Sequence, residues 1–90
     1  MNQDRTAAIR ERLDAAFAPE SLEIVDDSRR HAGHVGAADG RGHFKVRIVS
    51  KRFTALGRVE RHRLVYEALG TLMQTDIHAL QVTALSPDQL

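Results

Sequence analysis

The five histidines are the residues of this chain whose chemistry is most specific. Three of them, His31, His34 and His43, fall within one short stretch, and the 90 residues contain no cysteine. Imidazole nitrogen is a good ligand for iron, zinc and copper, but soft metal centres commonly take thiolate sulfur as well. Because this chain has no thiol, such a centre would need sulfur from a second molecule. The histidines therefore favour a metal site that is shared with a partner.

Length and composition predict one small domain over residues 1–90. A chain of this size buries roughly 60–65% of its unfolded surface, which leaves little room for an enclosed substrate pocket. Its apolar fraction of 42% and charged fraction of 28% are typical of globular proteins, and a net charge of +1 argues against wholesale binding to polyanions. No apolar run approaches the roughly 20 residues that span a bilayer, and residues 1–5 do not resemble a secretory signal. We therefore expect a cytoplasmic protein that is not inserted in a membrane.

Apolar spacing predicts two amphipathic helices. The first runs from Asp4 to Ala18 and is ended by Pro19, and the second runs from Arg58 to Met73 with Gly57 as its N-cap. In each helix the apolar residues recur every three or four positions, as in a helix with one buried face. These residues are Ile9, Leu13, Ala16 and Phe17 in the first helix, and Val65, Ala68, Leu69 and Leu72 in the second.

Three strands are predicted at residues 21–26, 43–49 and 77–85, and a glycine-rich connection joins the first two. A hairpin makes the first pair antiparallel, whereas a helical crossover favours a right-handed parallel pairing of the second and third strands. The starting ends of two parallel neighbours lie at the same edge of a sheet. We therefore expect an α+β fold with a three-stranded mixed sheet, in which His78 lies near His43 and the connection that contains His31 and His34.

Several motifs resemble those of the BolA family, and they occur in the same order from about Leu13 to Pro87. The motifs are Asp26-Asp27-Ser28 with His31, His43-Phe44-Lys45-Val46, Ile48-Val49-Ser50, Phe53, Arg61-His62-Arg63-Leu64-Val65-Tyr66 and Ile77-His78-Ala79-Leu80. The resemblance implies an αββαβ domain similar to the class II KH fold. It also implies a protein that is not an enzyme, in agreement with the absence of any recognisable nucleophile motif.

Members of this family are associated with monothiol glutaredoxins, with which they share a two-iron two-sulfur cluster. The resemblance implies that the glutaredoxin and a bound glutathione supply thiolates, that His78 supplies one imidazole, and that the connection between the first two strands supplies the second ligand. One subgroup uses cysteine there and another uses histidine, and this chain, which lacks cysteine, resembles the histidine subgroup. His31 is the first choice for that ligand and His34 the second. Alone, the chain is expected to hold no cluster and to be a monomer or a weak homodimer.

The older association of the family, with transcriptional regulation through DNA binding, remains an alternative. A basic segment interrupted only by Glu60 is predicted to be exposed and available to DNA phosphates: Lys51, Arg52, Arg58, Arg61 and Arg63. The same residues could form an ordinary solvated surface. Near-neutral net charge and few aromatic residues for base stacking make DNA binding the second choice.

Structural roles are the alternative for each histidine. His78 could simply hydrogen-bond a nearby carbonyl, and His31 and His34 could be solvated loop residues. His43 alternates away from the buried Phe44 and could lie beside the site, and we predict that it has a structural role or supports a ligand. His62 is in register with Val65 and Leu69, and we predict a packed, hydrogen-bonded histidine at the edge of the buried stripe.

Overall fold

The computed structural model of this chain describes residues 2–28 and 42–90. Its helices are α1 (Asn2–Phe17), α2 (Arg58–Leu69) and α3 (Leu72–Thr75), its strands are β1 (Ser21–Asp26), β2 (Gly42–Val49) and β3 (Ile77–Leu85), and short 3₁₀ turns span Lys51–Phe53 and Pro87–Gln89. The predicted α+β fold is therefore confirmed. Among the described helices, none has the length and apolar character to cross a membrane.

The three strands form one mixed sheet in the order β1-β2-β3. The strands β1 and β2 are antiparallel, with Ser21 opposite Val49 and Asp26 opposite Phe44. The strand β3 lies parallel to β2, after the crossover through α2. Both predicted pairings are confirmed, because the connection types that the sequence predicted limit the possible strand directions.

The helices cover one face of this sheet. The core is formed by apolar residues of α1 and α2 and by the inward positions of the strands. Phe44, Val65 and Leu69 belong to this core and are almost completely buried. Along β2 the buried residues alternate with the half-buried His43, Lys45 and Arg47, which lie on the opposite face of the sheet. Functional side chains are therefore available on that face and along the rim.

The second helix is shorter than the sequence predicted. It ends at Leu69 rather than Met73, and the single turn α3 follows as a separate element. Gly70 causes the break, because its φ of 55° and ψ of −127° are unfavourable for any residue with a Cβ. The predicted continuous helix from Arg58 to Met73 is therefore wrong in its last turn.

The start of β2 is held close to the end of β1 and to the start of β3. The Gly42 N–H donates to the Asp76 carbonyl at 2.9 Å, which ties β2 to the turn that precedes β3. A Cβ at position 42 would lie 2.6 Å from Phe44 Cε2 and 2.9 Å from the Ser28 hydroxyl oxygen. This close approach requires glycine at position 42, and it fixes the backbone just before His43.

Candidate functional site

His78 occupies an irregular position at the beginning of β3. Gly42 pairs with Ile77 and His43 pairs with Ala79, so His78 is an extra residue on β3 that has no counterpart on β2. A bulge of this kind changes the direction of the side chain, and bulges are common beside functional sites. Ile77 is 1% exposed and packs in the core, whereas His78 is exposed to solvent. The bulge thus presents an imidazole at the rim of the sheet.

The His43 ring lies next to the His78 ring. The ring centroids are 5.1 Å apart and the ring planes are inclined by 53°. The predicted meeting of these two histidines at one sheet edge is confirmed. The half-buried His43 is therefore an immediate neighbour of the exposed His78 imidazole.

Both ends of the connection between β1 and β2 lie at this rim. The His43 N–H donates to the Ser28 hydroxyl at 3.1 Å, and the His43 carbonyl accepts from the Asp27 N–H at 2.7 Å. Asp26 Oδ1 in turn accepts from the Ser28 N–H at 2.9 Å. The predicted ligands His31 and His34 lie outside the described residues, but the chain leaves and re-enters the described fold beside His43.

Charged groups of both signs lie beside His43. Lys45 Nζ lies 4.0 Å from Asp27 Oδ2, and these two residues, together with His43 and Gln81, line a shallow cleft. Within residues 2–28 and 42–90, no group of three His, Cys, Asp or Glu side chains is arranged to hold a metal ion. The rim as described therefore offers two neighbouring imidazoles.

The exposed residues of the predicted basic segment line three different clefts. Lys51 and Arg52 line a cleft beside the end of α1, Arg58 lines a second cleft between α2 and β3, and Arg63 lies in a groove on the outside of α2. These four residues are exposed. Arg61, in contrast, is only 8% exposed, so the prediction that it belongs to an exposed basic surface is wrong.

The burial of Arg61 has a clear cause in the helix period. Arg61 lies four residues before Val65, which places it on the buried face of α2. Its Nε donates to the Leu56 carbonyl at 2.9 Å, and its Nη1 donates to the Ala84 carbonyl at 3.0 Å and to Gln89 Oε1. The four-residue spacing between Arg61 and Val65 could have predicted that Arg61 is buried. The charge of the side chain instead favoured the prediction of an exposed position.

His62 is half-buried, at the edge of the apolar stripe of α2. It separates two clefts, one of which contains Arg58 and Arg61 while the other contains Val59 and Tyr66. The predicted position of His62 thus agrees with the structure. In the part of the chain that the structure describes, however, its ring makes no hydrogen bond.

The described chain is a small α+β domain in which helices cover one face of a mixed three-stranded sheet. A histidine pair lies at the rim of this sheet. A family model described as BolA-like protein matches residues 13–89. The chain therefore belongs to the BolA-like family, as its motifs predicted.

Named relatives and a solved structure support this assignment. The chain is 40% identical over 90 residues to Protein BOLA1, chloroplastic, of Arabidopsis thaliana; the match covers 97% of this chain and 56% of that protein. It is 46% identical over 72 residues to the DNA-binding transcriptional regulator BolA of Escherichia coli (strain K12), covering 80% and 66%. The BolA domain of SufE1 from Arabidopsis thaliana is similar with a TM-score of 0.84 and 39% identity, covering 96% and 95%.

These comparisons do not test the predicted location of the protein or its predicted subgroup. The chain spans little more than half the length of the chloroplastic relative. Because that relative is named as chloroplastic, a cytoplasmic location for this chain stays a prediction. The assignment to the histidine subgroup also stays a prediction.

Proposed function

We propose that this protein is a non-enzymatic partner of a monothiol glutaredoxin, with which it shares a two-iron two-sulfur cluster. The role would lie in the assembly or trafficking of iron-sulfur clusters or in the regulation of iron. The observation that supports this proposal most directly is the exposed His78 at a β-bulge, 5.1 Å from the His43 ring by centroid distance.

The donor set of the chain fits one half of such a shared centre. A two-iron two-sulfur cluster needs two external ligands on each iron, and in Rieske centres two histidines replace two cysteines on one of the irons. His78 would be one imidazole ligand, and His31, or else His34, would be the second. The partner's cysteine and the thiolate of glutathione would complete the set, which agrees with a chain that has no cysteine.

The neighbours of His78 suit this role. A metal-ligating imidazole is held in place by groups that fix its ring, and the adjacent His43 is itself anchored to Ser28 and Asp27 through its backbone.

Two neutral imidazoles in place of two thiolates make a cluster less negative and raise its reduction potential. The heterodimer should therefore differ in redox behaviour from a glutaredoxin homodimer.

Titration of a cluster-loaded monothiol glutaredoxin tests the proposal directly. We expect that adding this chain in the presence of glutathione converts the glutaredoxin homodimer into a one-to-one heterodimer with one cluster. Native mass spectrometry would count the subunits, and visible circular dichroism would report the change of ligands. If the homodimer and its spectrum persist in a large excess of this chain, the proposed partnership is excluded.

DNA binding is the second candidate, because the Escherichia coli relative is named as a DNA-binding transcriptional regulator. Here the exposed Lys51, Arg52, Arg58 and Arg63 would contact phosphates, while the buried Arg61 would not. A plot of log affinity against log salt has a negative slope, and each lost phosphate contact should reduce the magnitude of this slope by about 0.9. We therefore expect the double change Arg58→Gln and Arg63→Gln to flatten the salt dependence measured by fluorescence anisotropy with duplex DNA. Binding with an unaltered salt slope would argue against contacts at these residues.

A further inference from the structure

We infer that the cleft between α2, β3 and the C-terminal 3₁₀ turn binds the phosphate group of a small molecule. The cleft has a volume of about 330 Å³, within the range of roughly 300–1,000 Å³ found for small-molecule sites. Arg58, Arg61 and His62 line its α2 side, Thr83 lies on its β3 side, and Gln89 closes one end. His78 does not line this cleft, and none of the residues that line it is acidic.

The charge of Arg61 in this cleft is not balanced by an anion of the described chain. All three of its hydrogen-bond acceptors are neutral, namely two backbone carbonyls and the Gln89 side-chain amide. Within the described residues it forms no ion pair. A buried charge without a partner of opposite sign is unfavourable. An anion that binds in the cleft would therefore be attracted to the Arg61 guanidinium.

Asp88 is on the same turn as Gln89, but its carboxylate is fully exposed. Hydrogen bonds from the Ser86 side chain and from the backbone lower the pKa of Asp88, and the charge of Arg61 makes a smaller contribution in the same direction. Arg61 therefore attracts the Asp88 carboxylate, but this carboxylate does not line the cleft.

Part of the Arg61 guanidinium is available to a ligand. A guanidinium has five N–H donors, one on Nε and two on each terminal nitrogen. The observed bonds use Nε once and Nη1 twice. Nη2 donates to no described residue, and the Arg61 side chain lines the cleft. The two N–H groups of Nη2 thus remain, and each can donate a single charge-assisted hydrogen bond to an anion oxygen.

Other positive groups border the same cleft. Arg58 is the first residue of α2, and the N-cap Gly57 provides no side chain to satisfy the amide groups of the first turn. The N-terminus of a twelve-residue helix also has a partial positive charge, which Glu60 in the first turn offsets in part. Arg58 and Arg61 together supply two positive charges at this cleft, which match a dianionic phosphate better than a monoanionic carboxylate.

The form of the cleft favours a small molecule over a nucleic-acid backbone. Arg61 is only 8% exposed and the apolar side chains of Leu56 and Val82 form walls beside it, so only a single projecting group can reach the guanidinium. Lys51 and Arg52, which a nucleic-acid backbone would also need, line a different cleft beside Phe17. We therefore commit to a phosphorylated small molecule.

Nuclear magnetic resonance of the isolated protein tests this inference without any glutaredoxin. Inorganic phosphate is titrated into ¹⁵N-labelled protein at constant ionic strength, with chloride as the balancing anion. We expect saturable shifts of the Arg61 Nε–H and of the backbone amides of Thr83, Ala84 and Gln89. Loss of one charged contact in Arg58→Gln should weaken the binding about tenfold, which corresponds to about 1.4 kcal/mol.

Arg63→Gln is the matched control, because it removes the same charge from the same helix but outside the cleft. It should change the affinity by less than about twofold. Shifts that do not saturate, or equal weakening by the two variants, would overturn the inference. Acetate and a short single-stranded oligonucleotide are titrated in parallel, and either one saturating these signals as tightly as phosphate would overturn the assignment to a small-molecule phosphate.

Discussion

Replacing His78 by alanine should lower the affinity of this chain for a cluster-loaded glutaredoxin by more than about 100-fold. Changes to groups that merely support a metal ligand cost 10–100-fold, so the loss of a ligand itself should cost more. The visible circular dichroism bands of the heterodimer should disappear, and the glutaredoxin homodimer should remain. Because His78 is an exposed side chain on an edge strand, we expect the free energy of unfolding to change by less than about 0.5 kcal/mol.

His62→Ala provides the matched control for this experiment. It removes the same side chain from α2, where His62 borders clefts that do not include His78. The affinity for glutaredoxin and the spectrum of the heterodimer should then be those of the unaltered protein. An unchanged spectrum in His78→Ala would exclude His78 as a ligand, and equal losses in both variants would show an effect on folding or docking instead.

The sequence predicted this histidine pair because strand direction follows from the type of connection. A helical crossover between β2 and β3 favours parallel strands, and parallel neighbours begin at the same edge. The bulge at His78 was not predicted, although the sequence contains a signal for it. Ile77 and Leu80 are three residues apart and both are part of, or packed against, the core, which is incompatible with strict alternation along one strand.

The errors in α2 have two different physical causes. The apolar pattern continues through Leu72, so it predicted a longer helix, but the backbone at Gly70 adopts a positive φ and ends the helix. For Arg61, the type of the side chain was given more weight than its spacing from Val65. Helix period determines which face is buried, and a long cationic side chain can be accommodated there when acceptors surround it.

Replacing Arg61 by methionine should lower the free energy of unfolding by about 2–3 kcal/mol. Methionine retains most of the side-chain volume, so the effect measures the lost hydrogen bonds rather than a cavity. The Leu56 and Ala84 carbonyls lose a charged donor, and each unsatisfied acceptor costs about 1–3 kcal/mol. Relief from burying a charge recovers part of this cost. Gln89 Oε1 is less affected, because it also accepts from the Ser86 N–H at 2.9 Å and the Ser86 hydroxyl at 3.0 Å.

Urea unfolding followed by far-ultraviolet circular dichroism, at fixed pH and salt, measures this change. Arg63→Met is the control, because Arg63 is exposed on the same helix, and it should alter stability by less than about 0.5 kcal/mol. Arg61→Lys separates charge from geometry, since it keeps the charge but loses the planar fork that reaches Leu56, Ala84 and Gln89 together. We expect this variant to lose about 1–2 kcal/mol. If Arg61→Met were as stable as Arg63→Met, Arg61 would not be the link that holds the end of β3 and the C-terminal turn to α2.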